Sequence, residues 1–235
     1  ATLRLSVGDL AINPRVTVPA GPVPAGAVLP ALQGIVNAMV DRAEQAEGAA
    51  GRAISCRKGC GACCRQLVPV SRTEARAIAA LVDTMPPERG TEIRRRFAAA
   101  AARLREAGLA ETLLDPGRRM DVSDRTLSVA YFALGLGCPF LEDESCSIHA
   151  DRPLACREYL VTSPAANCSH AEQAGVVPVP VPKLSVAARG LEEDDSAADT
   201  TARWLPLALA LAWVATGGTL LGDAKINIAN FNLGR

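Results

Sequence analysis

The stretch Ser55–Gln66, SCRKGCGACCRQ, holds Cys56, Cys60, Cys63 and Cys64 within nine residues and sets a glycine on each side of Cys60. Glycine permits backbone turns that other residues resist, so Gly59 and Gly61 let several sulfurs of one irregular loop converge. Isolated buried thiols do not come four to a loop, and adjacent Cys63 and Cys64 are awkward partners in a disulfide framework. Nor does the chain need staples: 235 residues, 49% hydrophobic and 21% charged, suffice for a core. Metal binding through thiolates is the reading that remains. The flanking Lys58 and Arg65 add positive charge that favours thiolate over thiol.

Four more cysteines lie downstream. Cys138 and Cys146 flank a tight hairpin expected around Glu142–Ser145. Cys156 sits on a short helix whose first turn suits Pro153, and Cys168 stands in Asn167-Cys168-Ser169-His170. One centre takes four thiolates, so the surplus reads as a second metal, a disulfide or an inert buried thiol. Zinc favours paired C-x2-C knuckles, and here only Cys60 and Cys63 have that spacing. Iron–sulfur loops accept asymmetric spacing and sometimes place proline after a ligand, as at Cys138-Pro139. An iron–sulfur cluster, [4Fe-4S] first, is therefore favoured, with Zn2+ as the alternative. His149 and His170 are candidate extra ligands, and Arg157 and Glu158 read equally as orienting partners of Cys156 or as a surface ion pair.

Around the cysteines the pattern is mainly α, with one or two small β-hairpins. Leu3, Leu5 and Val7 alternate, and Val16 and Val18 recur after a turn region, which predicts an N-terminal hairpin. Leu32, Ile35, Val36, Met39 and Val40 predict a helix from about Pro30 to Gly48. Ser71-Arg72-Thr73-Glu74 is a capping box opening a helix that Pro86-Pro87 stops, and a further helix closes at Gly108. Leu127–Leu134 reads as helix or strand. Alternate prolines in Val176–Pro182 favour an extended edge, and an acidic run, Glu192–Asp195, precedes an apolar helix expected over about Ala202–Ala215. The segments divide into an N-terminal hairpin and connector (1–28), a helical Cys-cluster metal-binding domain (29–170) and a C-terminal extension with a buried helix (171–235). The helices are expected to pack around the Cys-rich loop.

Lys plus Arg and Asp plus Glu are both 25, and aromatics are only 3%, so both the basic field and the stacking platforms of a nucleic-acid binder are missing. The uncharged stretch Trp204–Gly222 is broken by Thr216-Gly217-Gly218-Thr219, too early for a membrane span. Residues 1–20 form no long apolar run, so a cytoplasmic location is expected.

The ordered set CRKGCGACC, then GCPFLEDESCSIHADRPLACREY, resembles the YkgJ-like cysteine-cluster family, described as zinc- or iron-chelating. Cys56, Cys60, Cys63 and Cys64 match its first block, and Cys138, Phe140 and Leu141 its second. Cys146, Ile148, Arg152, Pro153, Cys156 and Arg157 match its third, with His149 where the family usually has Tyr. The match spans Ser55–Tyr159 and implies a metal held by Cys56, Cys60, Cys63, Cys64, Cys138, Cys146 and Cys156, leaving Cys168 outside the set. A redox or protein-modification role goes with that centre, and a structural zinc site is another reading. Flagellin lysine N-methylase is distantly similar, which implies S-adenosylmethionine-dependent methyl transfer to a protein partner as the enzymatic alternative. Against it, the sequence has no Gly-rich strand–loop–helix. The Cys56-x3-Cys60-x2-Cys63 spacing resembles radical S-adenosylmethionine enzymes at those residues alone, without the βα units they need.

Overall fold

Ser71 opens helix α2 (Arg72–Asp83) through the expected capping box, its hydroxyl accepting from the Glu74 amide while the Glu74 carboxylate accepts from the Ser71 amide. Pro86-Pro87 ends that helix and also begins the next, because proline's fixed φ and missing N–H suit the first helical position. Helix α3 accordingly runs Pro87–Glu106 and closes at Gly108, whose φ of +68° only glycine adopts at no cost. The computed structural model describes residues 5–7, 10–12, 14–17, 21, 23–170, 175–191 and 204–218. Within them the chain is mainly helical. Helix α1 (Leu29–Ala49) matches its predicted span, and short helices α4 (Ala110–Leu114) and α5 (Pro116–Met120) follow α3. The ambiguous stretch before Leu134 is helix α6 (Asp124–Ala133), capped by Ser123.

The strands form three two-stranded antiparallel pairs. At the N-terminus β1 (Leu5–Val7) pairs with β2 (Leu10–Ile12), a tighter hairpin than one returning at Val16. Leu3 and Val18 lie outside the described residues. Strand β3 (Pro69–Ser71) pairs with β6 (Trp204–Pro206), so the expected apolar helix begins late. Pro206 disfavours helical backbone at Leu205, and helix α9 starts only at Ala210, after a 3-10 turn at Leu207–Leu209. The acidic run Glu192–Asp195 and Ala202 lie outside the described residues. As expected, 177–179 is extended; it lies against 160–162, with the Thr162 amide donating to Val177 O at 3.0 Å and the Val179 amide to Leu160 O at 2.8 Å. No helix among the described residues is long and apolar enough to cross a membrane.

Two apolar clusters flank the cysteines. One joins Ile78 and Val82 of α2, Ile93, Phe97 and Leu104 of α3, residues 207–213 and Phe140, whose ring meets Phe97 edge-on at 5.3 Å. The other packs Val36 and Met39 of α1 against Leu154, Leu160, Val179 and Val181. Glu74 ties them together. Its carboxylate is buried, accepts from the Ser71 amide and hydroxyl (both 2.9 Å), and with its second oxygen accepts from the Leu154 amide at 2.8 Å. Glu74→Ala removes the cap and leaves buried donors unsatisfied, so urea unfolding should show a loss of about 2–4 kcal/mol. A loss below about 1 kcal/mol would mean that water replaces the carboxylate.

Candidate metal centre

The cysteine loop and the downstream hairpin are fastened to each other residue by residue. Strands β4 (Leu141–Glu142) and β5 (Ser145–Cys146) turn through Asp143 (φ 45°) and Glu144 (φ 55°), a primed turn built without glycine. Left-handed backbone at these two residues costs energy that contacts to the loop offset. The Cys138 amide donates to Cys64 O at 2.7 Å, and the Gly59 amide, on backbone of φ +85°, donates to Ser145 Oγ at 3.2 Å. Arg65 forks onto the Glu144 carboxylate at 2.5 and 2.9 Å and also donates to Gly61 O. From the other side Arg89 and Arg96 of α3 both hold Glu142. Arg65 therefore serves the hairpin first, and Lys58 is exposed.

Helix α7 (Leu154–Arg157) presents Cys156, with Pro153 as its N-cap residue rather than in its first turn. It is too short to hold itself. Glu74 holds its first amide, and the buried Arg157 donates to Arg152 O (2.8 Å), Asn37 Oδ1 (3.0 Å) and Ala150 O. The Glu158 carboxylate, also buried, accepts from the Ser185 amide at 2.8 Å and hydroxyl at 2.7 Å, at the start of helix α8 (Leu184–Ala187). Arg157 and Glu158 are thus buried braces with separate partners, not a surface ion pair.

All eight cysteines are free thiols; Cys168 is buried and the other seven are half-buried. Cys63, Cys138, Cys146 and Cys156 form a quartet in which every pair lies within electrostatic reach. Cys63 also reaches Cys56 and Cys168. On that second flank Cys168 packs with Cys56, Cys60 and Tyr159. Cys168, set outside the predicted ligands, therefore lies among them. Burial pushes the Cys138 thiol up to about 12 and Cys156 well above the usual thiol range. A hydrogen bond with Cys64, then burial, push Cys63 up as well. Neutral thiols are what a desolvated site of this kind holds until a cation displaces the protons. Arg152 opposes the shift at Cys56, Cys63, Cys146 and Cys156, a role that sequence reading did not give it. Its sequence signals are its place before Pro153, between two cysteines, and its match to the third block of the family pattern.

The thiols are neighbours rather than a closed shell. Among the described residues no three His, Cys, Asp or Glu side chains are grouped so as to hold a metal ion as they stand. His149 and His170 are exposed. The donor chemistry nonetheless fits a soft or borderline metal, since the convergent groups are reduced sulfurs with buried amides and cations around them.

A family profile named CxxCxxCC, described as a "putative zinc- or iron-chelating domain", matches residues 55–175, just over half the chain. The chain belongs to this family. The CxxCxxCC match takes in all eight cysteines, from the loop to Cys168, and so reaches past the Ser55–Tyr159 span of the sequence resemblance. Metal chelation by cysteine is the function this membership supports, with zinc and iron as the metals named. No curated protein and no solved structure is significantly similar to the chain.

The loop–hairpin junction has one point with no slack. A Cβ on Gly61 would stand 2.6 Å from a Glu144 carboxylate oxygen, 2.7 Å from Leu141 Cδ1 and 3.2 Å from the Glu144 backbone. Gly61→Ala should therefore spring the hairpin from the loop. The expected readings are a destabilisation of about 1–3 kcal/mol and faster amide exchange at Cys138. Unchanged exchange at that amide would show that the two segments are not clamped there.

Proposed function

We propose that this domain holds an iron–sulfur centre, with Cys63, Cys138, Cys146 and Cys156 as its first four ligands. The observation that carries the reading is that quartet: four thiols from three separate segments, every pair within electrostatic reach, with Cys138 and Cys156 strongly desolvated. Cys56, Cys60, Cys64 and Cys168 form the remaining set, available to a second centre or to ligand exchange at the first. Spacing favours iron–sulfur over zinc. A tetrahedral zinc site with Zn–S of about 2.3 Å draws its sulfurs to about 3.8 Å of one another. Thiolates on a cubane cluster bind different irons and stand further apart. In the sequence only Cys60 and Cys63 have the C-x2-C spacing of a zinc knuckle, and the quartet draws on three separate segments.

When bound, such a cluster supplies one-electron storage. The chain's own contribution is to fix the thiols and limit water. Arg157, Glu158 and Glu74 set the orientation of Cys156, and Phe140, Ile148 and Leu154 close the apolar side. Methyl transfer from S-adenosylmethionine gains no support from the fold. The described strands make only two-stranded antiparallel pairs, with no parallel βαβ unit among them to cradle a nucleoside.

Anaerobic isolation followed by iron, sulfide and zinc analysis tests the proposal. A [4Fe-4S] centre should give about four irons and four sulfides per chain and an absorption band that zinc lacks. Cys156→Ser should abolish that content, while Cys168→Ser should keep at least half of it, because only Cys156 belongs to the quartet. One zinc per chain without sulfide would replace the iron reading by a structural zinc site. Equal losses from the two variants would dissolve the quartet.

A further inference from the structure

Arg152 follows the 3-10 turn His149–Asp151 and so stands between the Cys146 strand and the Cys156 helix. Its backbone carbonyl is used, accepting from Arg157 Nε at 2.8 Å. Its side chain is not: the Nε is buried without a hydrogen-bond partner, and among the described residues no carboxylate pairs with its guanidinium. A desolvated, unpaired guanidinium nitrogen is a burden to the folded chain unless something negative is placed beside it. Sulfur lies within its reach, as do His149 and Arg157. Its field reaches Cys56 and Cys63 of the loop, Cys146 of the hairpin and Cys156 of α7. While these are protonated they offer no charge to balance it. Four thiolates on a zinc ion or an oxidised cubane cluster leave a net charge of about two negative units. The other nearby cations are committed, Arg65 to Glu144 and Arg157 to three oxygens.

We propose that Arg152 is the charge-compensating residue of the metal centre, idle in the metal-free chain and paired with the ligand set once thiolates form. The inference rests on the thiols being metal ligands. It predicts opposite signs for the two states of the protein: Arg152 favours the loaded form and burdens the empty one. A packing role would lower both together. It also predicts that charge matters more than shape, so Lys should substitute where Gln cannot.

The test compares full-length wild type, Arg152→Gln, Arg152→Lys and the exposed-site control Arg103→Gln, all isolated anaerobically. Metal retained is measured against rising EDTA concentration, and thermal unfolding is measured on the metal-free proteins. Arg152→Gln should release half its metal at about tenfold less EDTA than wild type. Arg152→Lys should stay within about threefold of wild type, and Arg103→Gln should match it. Metal-free Arg152→Gln should unfold at the wild-type temperature or above. Equal release midpoints for wild type and Arg152→Gln would overturn the proposal, as would equal weakening by Gln and Lys or a metal-free Gln variant less stable than wild type. A wild-type chain that carries no metal overturns the metal reading and this inference together, and a metal-loaded wild type indifferent to Arg152 overturns this inference alone.

Discussion

The hydrogen bond from the Cys138 amide to the Cys64 carbonyl, at 2.7 Å, joins two segments that are far apart in sequence and irregular in themselves. Neither could hold its thiols in place alone. The loop has glycine at φ +85° and a single 3-10 turn, Ala62–Arg65, while the hairpin has two residues per strand and two non-glycine residues at positive φ. An isolated hairpin of that size is unstable in water. Each becomes ordered by leaning on the other, with Gly61 seated under Glu144 and Arg65 reaching across. The arrangement of sulfurs is thus a property of the junction and not of either motif.

The junction is in turn held at its outer edge by helices. Arg89 and Arg96 grip Glu142 from α3, while Phe140 buries its ring against Phe97 on that same helix. Both pairs of charged groups are about one-third exposed, so screening leaves them a small share of the energy. Most of the hold comes from the aromatic contact, since burying a phenylalanine is worth about 1.5–3 kcal/mol. The arginines chiefly fix the direction from which the hairpin approaches.

Signals that act within one turn of chain are legible in the sequence itself. Ser71 and Glu74 announce a helix start because both halves of the capping box lie within one turn, and Gly108 and Pro87 punctuate α3 for equally local reasons. What could not be read are features made between distant segments. Strand β3 is three residues long and exists because Trp204–Pro206 comes alongside, so nothing in Pro69-Val70-Ser71 alone declares it. The family resemblance leaves Cys168 outside the ligand set, yet the Val177–Val179 pairing with residues 160–162 folds that segment back beside Cys56 and Cys60. The buried braces Arg157 and Glu158 were ambiguous for the same reason. Their partners, Asn37 and Ser185, lie in helices on either side in sequence.

The sulfurs meet the cores only at their margins, Cys138 and Cys146 partly buried against one cluster and Cys56 against the other. Phe97, Ile93, Leu104 and Leu113 are essentially inaccessible, as are Val36 and Leu154. In a zinc-finger-sized domain the metal replaces the missing core, and removing it unfolds the chain. Here α2 and α3 bury apolar faces against each other and against residues 205–213, while α1 buries its own against Leu154, Leu160, Val179 and Val181. Loss of a metal would release the loop–hairpin junction, whose order is marginal, and leave the helical frame standing. A thiol set placed at the margin of two cores can thus be loaded and emptied without removing what keeps the helices folded.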